Sequence, residues 1–132
     1  MKNLNVIEVA KQYVLAFKNV NSGLIREHFM PNAFKTGYFY DFETRNWTGL
    51  KYHSFEQMEA WTAEYNLNGI MPDTEIHATL LDVQDKMAIV KLKAEWAPGI
   101  WGHDYVILLL EDGKWLISTV HWQSLINGNA GS

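Results

Sequence analysis

The stretch His103 to Trp122, HDYVILLLEDGKWLISTVHW, limits the possible folds more than any other part of the chain. Two apolar, β-branched runs flank Asp112-Gly113. That dipeptide favours a two-residue type I′ turn, in which both central residues take positive φ. With the turn on those residues, Glu111 faces Lys114, and the register follows by counting outward. Leu110 meets Trp115, Leu108 meets Ile117, Val106 meets Thr119, and Asp104 meets His121. Side chains alternate along a strand, so these pairs share one face. Tyr105, Ile107, Leu109, Leu116 and Val120 occupy the other. Both faces are apolar, and both require cover.

Upstream, Val6, Val9, Ala10, Tyr13, Val14 and Phe17 recur at helical spacing, which predicts an amphipathic helix over residues 5–18. Ser22 can cap a short second helix running to about Met30, with Pro31 as its stop. Residues 34–53 alternate and are rich in aromatics. They predict two short strands around a turn near Glu43–Asn46, with Gly37 and Gly49 as bulges or bends. Ser54 and Gln57 form a capping box for a third helix, whose inner stripe is Phe55, Met58, Trp61, Thr62 and Tyr65. Asn68-Gly69 supplies its left-handed stop. EIHATLLDV and MAIVKLKAEW then flank a turn at Asp85-Lys86. A two-residue turn there puts His77, Thr79, Leu81 and Val83 on the face of Ala88, Val90, Leu92, Ala94 and Trp96.

Three helical segments and a strand pair thus precede four antiparallel strands. That order predicts an α+β fold in which the N-terminal helices pack in the concave face of a curved, mainly antiparallel sheet. A sheet of this length must curl to cover one face, leaving a cone with an internal pocket. Residues 1–126 read as this single domain, and 127–132, NGNAGS, as a flexible C-terminal tail.

A net charge of −4 gives no electrostatic reason to expect nucleic acid or an anionic membrane. With no cysteine, the chain has neither a disulfide nor a thiolate nucleophile. No run approaches a membrane span and the amino terminus lacks a signal pattern, so a cytoplasmic protein is expected. The five histidines show no HxH or HExxH spacing, and no metal or other cofactor is expected.

The first-helix phrase KQYVLAFKNVNSGLIREHFMPNAF and the final HDYVILLLEDGKWLISTVHW resemble the nuclear transport factor 2-like superfamily, the cystatin-like α+β cone. More narrowly they resemble its SnoaL-like and lumazine-binding-like branch. The resemblance covers nearly the whole chain and implies a fold far more sharply than an activity. It implies a homodimer and a small organic ligand. Ketosteroid isomerase is a distant member. Its first-helix tyrosine matches Tyr13, and its buried protonated aspartate matches Asp104. Together those groups form an oxyanion hole in that family. The family's aspartate base follows the phrase PNAFKTG, where this chain has Gly37, with Lys35 and Thr36 before it. Asp41 lies four residues later and does not match.

The candidate catalytic residues are therefore Asp104, His121 and Tyr13. A carboxylate against an imidazole fixes its tautomer and raises its basicity, leaving the second ring nitrogen to exchange a proton with a ligand. Tyr13 can donate to a developing oxyanion. An ordinary strand-end ion pair is the competing explanation, worth under ~1 kcal/mol. His77, Trp96, Trp101, Thr119, Tyr40 and Trp61 are the candidate ligand-binding residues. The expected function is a small-molecule-binding protein of the SnoaL-like cone fold. It is either a cofactor-free acid–base enzyme of isomerase, cyclase or hydratase type on a mostly apolar substrate, or a non-catalytic carrier or dimeric interaction module. The outer face, with Tyr105, Ile107, Leu109, Leu116 and Val120, is expected to bury itself in the homodimer.

Overall fold

The computed structural model describes residues 5–126, so the expected tail at 127–132 lies outside the described residues. Helix α1 spans Val6–Lys18 and α2 spans Gly23–His28. Strand β1 runs Phe29–Asp41, β2 Asn46–Trp47 and β3 Lys51–Ser54. Helix α3 follows at Phe55–Thr62. Then come β4 at His77–Val83, β5 at Met87–Ala97, β6 at Ile100–Glu111 and β7 at Lys114–Ile126.

A reciprocal capping box starts α1. Asn5 Oδ1 accepts from the Glu8 amide at 2.9 Å, and the Asn5 amide donates back to Glu8 at 3.1 Å. Val6, Val9, Ala10, Tyr13, Val14 and Phe17 are all buried, as their spacing requires. The box at Ser54 and Gln57 starts α3 in the same way. Helix α2 ends before Pro31 is reached. Phe29 is already extended, with φ −110° and ψ 149°, and Pro31 lies within β1.

The sheet order is β2-β1-β7-β6-β5-β4, with β3 also paired to β1. The β1–β7 pairing is parallel and all others are antiparallel. The helices pack in the concave face, and the core lies between α1 and the inward residues of β5, β6 and β7, including Val90, Leu92, Val106, Leu108, Ile117 and Val120. No helix among the described residues is long and apolar enough to cross a membrane.

The last hairpin turns where expected, with Asp112 at φ 50° and Gly113 at φ 76°. Leu110 pairs with Trp115 and Leu108 with Ile117. A bulge then intervenes: Ile107 pairs with Thr119, so Ser118 is the extra residue. Beyond it every partner moves by one. Asp104 stands opposite Trp122, and His121 stands opposite Tyr105. The expected Asp104–His121 pair therefore does not form. Thr119 moves to the convex face, and Val120, expected there, is fully buried in the core.

A second bulge, at Leu81, does the same to β4. Thr79 and His77 pair with Lys91 and Lys93 on the convex face, and both are exposed. They do not share the concave face with Val90, Leu92 and Trp96.

Candidate functional site

The concave face holds a cavity of about 210 Å³. Its chemistry comes from three elements. Tyr13 enters from α1, Lys35 from β1 and Asp104 from β6, and all three line it. Their exposures are 1%, 5% and 1%, so an amine, a carboxyl and a phenol are all withdrawn from solvent.

Lys35 reaches this position because β1 alternates. Ala33, Lys35 and Gly37 are buried on the inward side, while their neighbours Phe34, Thr36 and Tyr38 are less so. Lys35 Nζ donates to the Tyr13 hydroxyl at 3.1 Å. Around it stand five aromatic rings. Its distances to the ring centroids are 4.8 Å for Trp61, 5.0 Å for Phe17, 5.3 Å for Tyr13, 5.7 Å for Trp122 and 5.8 Å for Trp96. Each ring face attracts a cation by about 0.5–2 kcal/mol. Removing an ammonium from water costs several kcal/mol, so no single ring offsets the burial, whereas a cage of them approaches it.

Two glycines admit the cage walls. A Cβ on Gly37 would overlap the indole and carbonyl of Trp122, and one on Gly102 would come within 2.6 Å of Trp96 Nε1. Gly37 is thus a place of close approach rather than a bulge. Tyr65 fixes the next wall by donating its hydroxyl to the Trp96 carbonyl at 2.8 Å.

Burial pushes the Asp104 carboxyl up to about 7, with Lys35 and the Tyr13 hydroxyl opposing the rise. Burial pulls the Lys35 ammonium down to about 8, with Asp104 opposing the fall. Burial, reinforced by the Asp104 charge, holds Tyr13 well above its usual range, so it remains a neutral donor. Asp104 Oδ2 is buried with no hydrogen-bond partner, and so is Trp122 Nε1. Among the described residues Lys35 and Asp104 form no direct ion pair. The site therefore holds an acid and a base that burial biases toward their neutral forms, beside a carboxyl oxygen and an indole N–H with no hydrogen-bond partner.

Four of the residues singled out in the sequence meet in this cavity: Asp104, Tyr13, Trp96 and Trp61. Tyr13 and Asp104 are the pair that the resemblance to ketosteroid isomerase brings together. The others lie elsewhere. His121 is exposed on the convex face, its Nδ1 2.9 Å from the Thr36 hydroxyl. His77 and Thr119 were carried outward by the two bulges. Trp101 packs under Lys93, whose Nζ is 5.4 Å from its ring, on that same convex side. Tyr40 packs with Phe42 and Trp47 near the β1–β2 turn. Sequence reasoning missed Lys35, Phe17, Tyr65 and Trp122 as site residues. The inward period of Ala33, Lys35 and Gly37 was the available signal for the lysine.

These features define an α+β cone whose helices and curled sheet enclose a small aromatic cavity. The chain belongs to the family described as putative lumazine-binding, whose profile matches residues 2–123. No curated protein matches it in sequence. Among solved structures it is similar to an NTF2-like protein of unknown function from Silicibacter pomeroyi DSS-3. The TM-score is 0.67 at 19% identity, covering 89% of this chain and 91% of that one. A second NTF2-like protein of unknown function, from Methylobacillus flagellatus KT, gives 0.60 at 21% identity over 89% and 87% of the two chains. A cystatin-like fold protein from Burkholderia xenovorans LB400 gives 0.58 at 15% identity over 90% and 88%. At these identities the likeness concerns the fold.

Proposed function

We propose that the protein binds a small, flat, mostly apolar organic molecule in the concave cavity and exchanges a proton with it without a cofactor. Lys35 and Asp104 are the proton-handling pair, and Tyr13 is the neutral hydroxyl donor. The observation that carries this reading is the cage itself: a buried amine and a buried carboxyl facing one aromatic cavity, with Asp104 Oδ2 unpartnered. Solvent-excluded charge stabilises a developing anion far better than it does in water. Isomerisation, cyclisation and hydration all pass through such anions or their conjugate acids. The family's description points to lumazine, a flat fused heteroaromatic with ionisable N–H groups, which suits aromatic walls and a buried amine.

The test uses 4-nitrophenol, whose absorbance reports whether it is bound as phenol or phenolate. Wild type is expected to hold it as the phenolate below its ordinary pKa, and Lys35→Met is expected to lose that spectral shift. A ligand that binds without any ionisation change in wild type would favour a carrier over an acid–base site.

The convex face is proposed to be covered by a second copy of the chain. Met87 and Tyr105 on that face are 55% and 45% exposed. Ile89, Ile107, Leu109 and Leu116 adjoin them on the same face, half-buried, with no helix of the described residues packed over them.

A further inference from the structure

We infer that Lys35 is a covalent site that forms an imine with a carbonyl compound about one ring in size. The inference goes beyond proton exchange but rests on the same reading of the cavity as a ligand site.

Four observations support it. Lys35 Nζ lines the cavity, and its hydrogen bond is to a neutral phenol, not to a carboxylate. The amine is therefore not tied up in a direct ion pair. Asp104 lines the same cavity with Oδ2 buried and unpartnered. Five rings surround the nitrogen. They stabilise a cation there whether it is an ammonium or a protonated imine. Finally, the volume is suitable. An apolar cavity of ~150 Å³ holds benzene. The 210 Å³ here leaves room for a ring bearing a small polar group.

The step balances within the site. The neutral Lys35 amine adds to the carbonyl carbon, and the carbonyl oxygen takes a proton to give a carbinolamine. Asp104, holding the proton that the Lys35 ammonium gave up to become the neutral amine, protonates the hydroxyl that leaves as water. Lys35 is left as a protonated imine and Asp104 as a carboxylate. The products are one water and a new ion pair, and no oxidant or reductant is needed. Tyr13, at 3.1 Å from the nitrogen, is placed to relay the proton from amine to oxygen. A desolvated lysine is the usual starting point for such chemistry. Burial lowers the pKa of the Lys35 amine, which makes its neutral, nucleophilic form accessible closer to neutrality than for a solvated lysine.

The experiment is reductive trapping with benzaldehyde and cyanoborohydride on the full chain at pH 8, read by intact mass and peptide mapping. The expected result is one benzyl group per chain, mapped to Lys35, blocked by excess benzyl alcohol and slowed at least tenfold in Asp104→Asn. Lys35→Arg keeps the charge and should take no adduct. Because that variant can fail to fold, the benzyl alcohol block on wild type serves as the independent control. Adducts spread over exposed lysines with none at Lys35 overturn the inference. If benzyl alcohol still quenches the cavity tryptophans in that case, the ligand-site reading survives. If it does not, both fall.

Discussion

Gly37 and Trp122 sit opposite each other on the parallel strands β1 and β7, so close that a methyl group on residue 37 would overlap the indole. The missing side chain is what lets Trp122 stand beside Lys35. Gly37→Ala is therefore expected to displace Trp122 and open the cage. Overpacking of this kind costs about 1–3 kcal/mol. Urea midpoints should fall accordingly, and 4-nitrophenol binding should weaken. Gly49→Ala is the matched control, since a Cβ there meets nothing within 4 Å. Equal midpoints for the two variants would show that the close approach carries no energy.

The buried pair predicts an unusual pH dependence. Asp104 is raised in the folded state, from 3.8 to about 7. Its contribution is thus fully present at low pH and is lost as pH rises through that window. Lys35 is lowered, from 10.5 to about 8, so stability recovers as pH climbs between those values. The two effects leave a minimum between about 7 and 8, where both groups are charged. Each pKa unit corresponds to about 1.4 kcal/mol. Thermal melts of wild type against the Lys35→Met/Asp104→Asn double variant isolate this term. The difference should dip in that window. A difference independent of pH would show that neither group titrates within the fold.

Most of the fold was legible because it rests on periodicity and end signals. The α1 stripe, the capping box at Ser54 and the Asp112-Gly113 turn each specify local geometry by themselves. The site was half legible. Tyr13 lay on a strong helical stripe, and Trp61 on another. The register errors come from one-residue insertions. Ser118 and Leu81 have no mark of a bulge in their sequence, yet each reverses the facing of everything beyond it. That reversal moved His121, Thr119 and His77 outward and Val120 inward. Lys35 was hidden differently. A lysine reads as a solvent residue until the five rings that accept it are assembled from α1, α3, β5 and β7.

The reversed register separates two histidine and aspartate roles that the sequence had joined. His121→Ala removes an exposed ring that contacts Thr36 and is expected to change stability by no more than about 0.5 kcal/mol. It should leave 4-nitrophenol binding unchanged. Lys35→Met should weaken the phenolate complex at least tenfold, because it removes the only cation that lines the cavity among the described residues. Asp104→Asn should tighten it, since the competing carboxylate charge is lost. Weaker binding on loss of the His121 ring, with Asp104→Asn silent, would return the proton chemistry to the convex face.

The convex face supplies the last prediction. Ile107 sits between Ile89 on β5 and Thr119 on β7, at the middle of the half-buried apolar strip. A single-layer sheet that leaves such a strip in water forfeits about 25 cal/mol per Å² of apolar area. Covering it with a second copy recovers that energy for both protomers, because a two-fold axis brings the same strip against itself. Light scattering of wild type should then give twice 15.3 kDa at micromolar concentration. Ile107→Glu would place two carboxylates at the centre of the contact and should yield a folded 15.3 kDa species. The cavity opens on the other face, so that monomer should still bind 4-nitrophenol. A wild-type mass of 15.3 kDa under the same conditions would remove the dimer and leave the strip without an occupant.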